Sequence, residues 1–231
     1  MHLFHDTDNS TTLHILSHAL MAALSLFVNG FGIYLTIRAG IGVSPWDVLN
    51  IGVANTFGIL YGTASITISC IILGIDLLLR EPIGLAMLID AVVVGKSVDF
   101  FYWLDPVPPA SSLPMSLALL VLGLFILGYT QYFYMAAALG CGPRDTLLVG
   151  LKRRTRRLPI GAVSIALLSA ATLIGWLLGG PVGLGTLVCA FLAGPIMQLA
   201  FCTVGFDATG IRHQSLPESL RVLFRARRKT A

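Results

Sequence analysis

Six long apolar stretches run through this sequence, and they restrict the chain to folds that lie in a lipid bilayer. A transmembrane helix needs about 20 mostly apolar residues, and each stretch meets that length. Charged residues make up only 11% of the chain, which leaves too little polar surface to cover a globule in water. Because backbone groups in lipid must be hydrogen-bonded within their own segment, we predict helices and an all-α membrane protein. The stretches are Leu13–Ile37, Tyr61–Leu79, Ile83–Leu104, Leu113–Leu139, Ile160–Leu178 and Pro181–Val204.

The two halves of the sequence repeat each other. Residues 39–49 read AGIGVSPWDVL and residues 137–147 read AALGCGPRDTL, a spacing of 98. After a shift of one residue, residues 62–66 and 82–85 match residues 161–165 and 181–184 at a spacing of 99. Matches in Gly, Pro and Asp are not explained by shared hydrophobicity, so the sequence predicts an internal duplication.

Each repeat unit contains three full spans and a short segment after its first span, residues 44–57 and 142–151. An odd number of crossings makes the two units enter the membrane from opposite sides. This inverted topology is typical of many secondary transporters, and we predict it here. If the short segments crossed the membrane, each unit would have four spans and the units would be parallel. The predicted organisation is an N-terminal tail (1–12), a first membrane repeat (13–104), a Pro-rich linker (105–114), a second membrane repeat (115–205) and a basic cytoplasmic tail (206–231).

The net charge of +4 is concentrated in the loop at residues 152–157 and in the C-terminal tail. Basic loops favour the cytoplasmic side, so six spans place both termini, the Arg80 loop and the 152–157 loop inside, with Arg38 as the exception. Ser215–Lys229 is predicted to form a basic amphipathic helix on the cytoplasmic membrane surface. This explanation of the charge is preferred to nucleic-acid binding, which we do not predict.

A Gly-x-x-Pro-x-Asp motif recurs at the start of both short segments. In the first copy Ser44 suits the N-cap and Pro45 the first helical position, and Asp47 is placed to meet the exposed N–H groups of the first turn. Both short segments are therefore predicted to be half-helices or interfacial helices. Two interpretations are open: the aspartates only cap their own helices, or the two helix starts point at a shared central site. The motif positions are Gly42, Ser44, Pro45, Gly140 and Pro143.

Other ionisable residues inside the apolar stretches are candidates for a site, because charge facing lipid is costly. Lys96 and Asp99 are three residues apart and share a helix face, which fits either a functional cluster or a structural salt bridge. Asp90 lies in the same span, and Asp76 is expected to pair with Arg80. The predicted substrate or ion pathway consists of Trp46, Asp47, Lys96, Asp99, Arg144 and Asp145.

No catalytic motif, metal site or cofactor is predicted, and enzymatic activity has no support in the sequence. The four cysteines lie in or beside apolar segments without CxxC spacing, which is typical of packing residues. Arg144 replaces Trp46 in the second copy of the motif, where it binds an anion or anchors the helix at the inner interface.

The run Ala39–Leu49, followed by residues 61–66 and by Gly95-x-x-x-Asp99, resembles the YczE/YyaS/YitT family of bacterial membrane proteins, and most closely its YczE branch. The resemblance covers about residues 15–205, and Ser-Pro-Trp-Asp is its most specific part. It implies a protein of the bacterial cytoplasmic membrane and a fold, but no substrate. The matched positions are Gly42, Pro45, Trp46, Asp47, Gly62 and Asp99.

The leading functional hypothesis is a small secondary transporter of an unidentified small solute, supported by the inverted repeat and the half-helix motif. The alternative is a membrane accessory protein that binds a partner or lipid through the basic loop and tail, and an intramembrane enzyme is a weaker third. The many glycines permit close helix contacts and hence a homodimer.

Overall fold

The computed structural model describes residues 12–155 and 157–206, and this part of the chain forms eight α-helices and no strand. The all-helical prediction is therefore confirmed. The predicted amphipathic helix at Ser215–Lys229 lies outside the described residues. The helices are α1 (Thr12–Arg38), α2 (Pro45–Phe57), α3 (Tyr61–Leu78), α4 (Leu85–Leu104), α5 (Leu113–Ala136), α6 (Pro143–Arg154), α7 (Ile160–Leu177) and α8 (Leu184–Thr203).

Five of the described helices, α1, α3, α5, α7 and α8, are long and apolar enough to cross a membrane. The chain is thus a multi-pass membrane protein. The sixth predicted span is α4, which has the required length at 20 residues but carries Asp90, Lys96 and Asp99. Its role as a span stays a prediction.

Proline and positive backbone angles set the limits of the shorter elements. Pro45 and Pro143 each occupy the first turn of a short helix, where the missing N–H costs nothing. Helix α5 ends at Ala136, earlier than predicted, because Ala138 has a φ of 55° that interrupts the helix. Helix α5 begins at Leu113, as predicted.

Each short helix packs against a long helix from the other half of the chain. Helix α1 lies against α4 and α5, and α5 lies against α8. Helix α2 packs mainly on α7, while α6 packs on α3. The largest buried apolar cluster joins α1, α4 and α5 and includes Leu26, Ile33 and Val98. The two halves therefore interlock rather than forming separate bodies.

The loops after α1 and α5 make the same type of contact at positions 98 or 99 residues apart. A β-carbon at Gly42 would lie 2.7 Å from the backbone nitrogen of Gly183, and one at Gly140 would lie 2.7 Å from the Cα of Gly84. The residue before each of these loop glycines accepts a backbone hydrogen bond, Gly185 N to Ile41 O at 2.7 Å and Ala86 N to Leu139 O at 3.0 Å. Gly42 and Gly140 are thus required for close backbone approach, because any side chain would collide. The duplication and the inverted orientation stay predictions. Both would account for the matching backbone contacts of the two loops.

Ion pairs join loops at the ends of the bundle. Arg153 and Arg154 donate to Glu81 at 2.9 and 3.3 Å, which brings the α3–α4 loop and the end of α6 together. Arg38 pairs with Asp105, which joins the end of α1 to the end of α4.

The expected pairing of Asp76 with Arg80 is wrong. Asp76 is fully buried and neither of its carboxylate oxygens has a hydrogen-bond partner, whereas Arg80 is exposed. The reason is that α3 ends at Leu78 and Arg80 adopts a φ of 55°, so the four-residue spacing is no longer helical.

Candidate functional site

A polar cavity of about 320 Å³ lies among the middle portions of five long helices. Both short helices contribute their first turns to its wall, with Trp46 and Asp47 from α2 and Arg144 and Asp145 from α6. Four of the six predicted pathway residues therefore meet in one place. The further polar lining residues are Asn29, Ser44, Ser65, Ser69, Asp90, Gln131 and Tyr134.

At the start of α2, Asp47 is held by two hydroxyl groups. Ser44 Oγ donates to one carboxylate oxygen at 2.6 Å, and the Tyr61 hydroxyl donates to the other at 2.6 Å. Asn50 in turn donates to the Tyr61 oxygen at 2.9 Å. Ser44 is the N-cap residue, but its side chain makes no capping bond to the backbone. Asp47 is only 2% exposed, so this carboxylate mainly ties α2 to α3.

At the start of α6 the equivalent carboxylate lacks this arrangement. Gly142 stands where the first half has Ser44, so no side-chain hydroxyl is present at that position to bind Asp145. Asp145 lines the cavity, and its side chain is exposed to that space. This carboxylate is open to whatever enters the cavity.

Arg144 lies over the indole of Trp46, with Cζ 5.1 Å from the ring centroid. These two residues occupy the same position in the two copies of the motif, and the structure brings them into contact. A cation–π contact of this kind is stronger when it is shielded from water. The pair links the first turns of α2 and α6 and gives the cavity one positive charge.

Asp90 and Tyr134 belong to the cavity but were not among the predicted pathway residues. Tyr134 is 3% exposed, and its hydroxyl is buried without a hydrogen-bond partner. The sequence marks Asp90 as a candidate, because it is an ionisable residue inside an apolar stretch, although the predicted pathway does not include it. Tyr134 gave no such signal, because tyrosines in spans usually pack or lie at the interface.

Lys96 and Asp99 do not line the cavity. Lys96 is exposed, and Asp99 accepts a hydrogen bond from the backbone nitrogen of Gly62 at 2.7 Å. The salt bridge considered between these two side chains is therefore absent from the structure. The reason is that Gly62 lies in the first turn of α3, where backbone N–H groups have no partner within the helix. Asp99 instead fastens the start of α3 to α4.

In the part of the chain that the structure describes, no three His, Cys, Asp or Glu side chains are grouped closely enough to hold a metal ion. The Cys141 thiol lies beside the cavity in the loop before α6. Burial and the negative charge of Asp145 raise its pKa to about 11, so it is a poor nucleophile near neutral pH. The arrangement can bind a small polar or charged molecule, and it offers no activated nucleophile of this type.

Comparison with known proteins finds relatives in bacteria, one of which is named as a membrane protein. Residues 16–201 match a family described as "Family of unknown function (DUF6198)". The chain is 31% identical over 212 residues to the "Uncharacterized membrane protein YczE" of Bacillus subtilis, covering 89% of each chain. An "Uncharacterized protein" of Haemophilus influenzae is 32% identical over 179 residues, covering 78% of this chain and 80% of that protein. The "Uncharacterized protein YyaS" of Bacillus subtilis is 29% identical over 182 residues, covering 76% and 88%. No solved structure matches the chain.

Proposed function

The chain belongs to the DUF6198 family and is similar to the membrane protein YczE, and we propose that it is a secondary carrier for a small solute in the bacterial cytoplasmic membrane. The resemblance to YczE and YyaS is confirmed, and it supplies the family without a substrate. The carrier function is inferred from the candidate functional site.

One observation carries the proposal: a polar cavity lies among the middle portions of the long helices, where the first turns of two short helices from opposite halves meet. Short helices that begin near the bilayer centre form substrate and ion sites in transporters. The volume of about 320 Å³ is at the lower end of the range of about 300–1,000 Å³ for small-molecule sites. Charged side chains at this depth are costly unless they serve a function, and Asp90, Arg144 and Asp145 all line this space.

The proposed topology is inverted, with both termini cytoplasmic. The contact of Glu81 with Arg153 and Arg154 supports it, because it places the two loops predicted to be cytoplasmic at one end of the bundle. The contact of Arg38 with Asp105 joins two segments that the same topology places outside. Basic residues in short loops favour the cytoplasm, and the loop with Arg153 and Arg154 is the most basic one described.

A carrier has to alternate between two states, and a difference between the two halves indicates what the states are. In the first half α3 packs closely on α4, and a β-carbon at Gly95 would lie 2.7 Å from the carbonyl oxygen of Gly62. The equivalent glycines of the second half, Gly161 and Gly194, have no atom within 4 Å of an added β-carbon. Helices α7 and α8 instead line a groove of about 460 Å³. We propose that α7 closes on α8 as α3 parts from α4, so that the halves exchange conformations around the cavity.

The orientation of the two halves is the first test. Phe57 and Thr155 lie at the ends of α2 and α6 and are both exposed. Single cysteines at these positions, in a chain whose four natural cysteines are replaced, should react with a membrane-impermeant thiol reagent from opposite sides of the membrane. Reaction from the same side would contradict the inverted topology, and the carrier proposal would then lose its architectural basis.

The second test concerns the solute site itself. A solute found by its stabilising effect on the purified protein should be taken up by proteoliposomes. Uptake should be lost when Arg144 and Asp145 are replaced by glutamine and asparagine, because both line the cavity. The matched control is Lys96→Gln, which neutralises an exposed charge away from the cavity. Uptake that survives the double replacement would remove these residues from the pathway.

The alternative is an accessory protein that binds a partner or lipid through basic segments. Two of the basic residues in the 152–157 loop, Arg153 and Arg154, already bind Glu81 within the chain. This observation favours the carrier, because those cations are engaged internally. If neutralising the loop abolished the cellular role while solute uptake persisted, the accessory function would be favoured over the carrier.

A further inference from the structure

Three oxygen atoms from different helices converge on the small space beside Gly142, the N-cap of α6. A β-carbon built on Gly142 would lie 2.9 Å from Asp90 Oδ2, 3.7 Å from Asp145 Oδ2 and 3.8 Å from the Tyr134 hydroxyl. These residues come from α4, α6 and α5. We call this space, bounded by Asp90, Tyr134, Gly142 and Asp145, the Gly142 pocket.

In the first half of the chain, a side-chain hydroxyl occupies the equivalent position. The residue equivalent to Gly142 is Ser44, whose hydroxyl fills the corresponding position and donates to Asp47 at 2.6 Å. In the second half glycine removes that donor. The positions 98 or 99 residues away from Tyr134 and Asp90 are Thr36 and Cys189. The space beside Gly142 therefore lacks the serine hydroxyl, has a carboxylate (Asp90) where the other half has a thiol (Cys189), and has a phenol hydroxyl (Tyr134) where the other half has that of Thr36.

Among the described residues, no salt bridge holds the carboxylates of the Gly142 pocket, although the Arg144 guanidinium is near enough to act on both of them. Neither carboxylate forms an ion pair in the described part of the chain, where the ion pairs involve Asp105 and Glu81. The Tyr134 side chain is 3% exposed and its hydroxyl has no hydrogen-bond partner. A buried hydroxyl without a partner is costly, so its presence beside two carboxylates indicates a ligand.

Charge determines which ligand fits. Asp90 and Asp145 bring two negative charges to the pocket, while the charges of Asp47 and Arg144 elsewhere in the cavity offset each other. A cation between the two carboxylates would reduce this excess of negative charge. Mg²⁺ is less suitable than a singly charged ion, because it demands near-ideal octahedral geometry and gives up its water reluctantly.

We propose that the Gly142 pocket binds a single small positive charge, an alkali-metal ion or the primary ammonium group of a solute, between the Asp90 and Asp145 carboxylates and the Tyr134 hydroxyl oxygen. The inference extends the proposed carrier by giving its cavity a cation-binding position. It rests on the proposed function only for its place in a transport cycle, because binding itself is measurable without transport.

The test is the thermal stability of the purified full-length protein in detergent at constant chloride concentration. Lithium, sodium, potassium or methylammonium ions replace N-methyl-D-glucamine, which is too large for the pocket. At least one of the small cations should raise the melting temperature in a saturable manner. A response to alkali-metal ions alone identifies an inorganic ion, and a response to methylammonium alone identifies an ammonium group of the solute.

Two variants should weaken this response, and one should not. Gly142→Ser places a hydroxyl where the first half already has one, at a position with an ordinary φ of −65°, so the protein is expected to fold with the pocket filled. Gly142→Ser and Asp90→Asn should each raise the half-maximal cation concentration by about tenfold or more, as expected for the loss of a charged contact. Asp99→Asn makes the same chemical change on the same helix outside the pocket, and it should leave that concentration unchanged.

The proposal is overturned if no small cation raises the melting temperature above that in N-methyl-D-glucamine. It is equally overturned if Gly142→Ser and Asp90→Asn respond like the unmodified protein, because the effect would then be one of general salt. Either result leaves the sidedness of Phe57 and Thr155 unaffected, so failure of the pocket and failure of the carrier are distinguishable.

Discussion

Two matched glycines, Gly95 on α4 and Gly194 on α8, allow a direct test of the proposed exchange between the two halves. A β-carbon at Gly95 would lie 2.7 Å from the carbonyl oxygen of Gly62 and 3.1 Å from its Cα. Both atoms are backbone, so α3 and α4 would have to move apart. Overpacking of this kind costs about 1–3 kcal/mol, and Gly95→Ala should therefore lower the melting temperature.

The same substitution at Gly194 has the opposite expectation in this conformation. No atom lies within 4 Å of an added β-carbon at Gly194, and replacing glycine by alanine inside a helix is favourable by about 0.5–1 kcal/mol. Gly194→Ala should leave the melting temperature unchanged or raise it. If α7 closes on α8 in the second state, however, the alanine would there meet the same type of contact as at Gly95. A cost of about 1–3 kcal/mol would lower the population of that state about 5–150-fold.

Closure of α7 on α8 can be measured by cross-linking. Ser169 on α7 and Ala190 on α8 both line the groove between these helices. Cysteines at these two positions, in a chain without natural cysteines, should be joined by a short bifunctional thiol reagent when the groove closes. The cross-linking rate should fall about 5–150-fold in Gly194→Ala and rise in Gly95→Ala, which destabilises the present state. An unchanged rate in Gly194→Ala, with unchanged stability, would refute the exchange.

Three further predictions test individual contacts. Tyr61→Phe removes the hydroxyl that donates to Asp47 at 2.6 Å and leaves a buried carboxylate oxygen without that partner, so unfolding should become easier by about 1–3 kcal/mol; an unchanged melting temperature would show that Asp47 does not depend on this bond. Glu81→Gln removes a buried charge that binds two arginines, and it should lower the melting temperature more than Asp105→Asn. The Asp105 side chain is 57% exposed, so its ion pair contributes little to stability. A larger effect of Asp105→Asn would contradict this ranking. Burial and nearby negative charge raise the pKa of Cys141 to about 11. In a variant with Cys141 as its only cysteine, the rate of reaction with a maleimide should therefore rise about tenfold per pH unit through and beyond pH 9. A plateau near pH 9 would mean that the thiol is not shielded.

The helices and the two short segments could be predicted from the sequence because local chemistry determines them. Apolar length fixes the long helices, and proline at the first helical position fixes the starts of α2 and α6. The starts of α3 and α7 agree with the predicted boundaries at Tyr61 and Ile160. The ion pairs considered at spacings of three or four residues do not form, for a related reason. Spacings of three or four residues describe an isolated helix, whereas Asp99 is bound by the backbone of another helix.

The composition of the cavity depends on how the helices are rotated and packed, which no local pattern encodes. Asp90 and Tyr134 lie on different helices, and only packing brings both to Gly142. A comparison of the two halves would nevertheless have pointed to this place. The glycines and prolines shared by both halves lie at loops, helix starts and close backbone contacts, as at Gly42 and Gly140.

Besides the shared Asp47 and Asp145, the cavity takes its chemistry from residues that differ between the halves. Ser44 and Gly142 occupy equivalent positions, and so do Trp46 and Arg144. The first of these differences leaves a carboxylate without its hydroxyl partner, and the second places a guanidinium over an indole. Positions that make the same close backbone contact in both halves, such as Gly42 and Gly140, carry the same residue. The cavity lies where the two halves meet, and side chains that differ between them make its two sides unlike. The differences at Gly142 and Arg144 are therefore the positions at which substitution should change binding while leaving the fold intact.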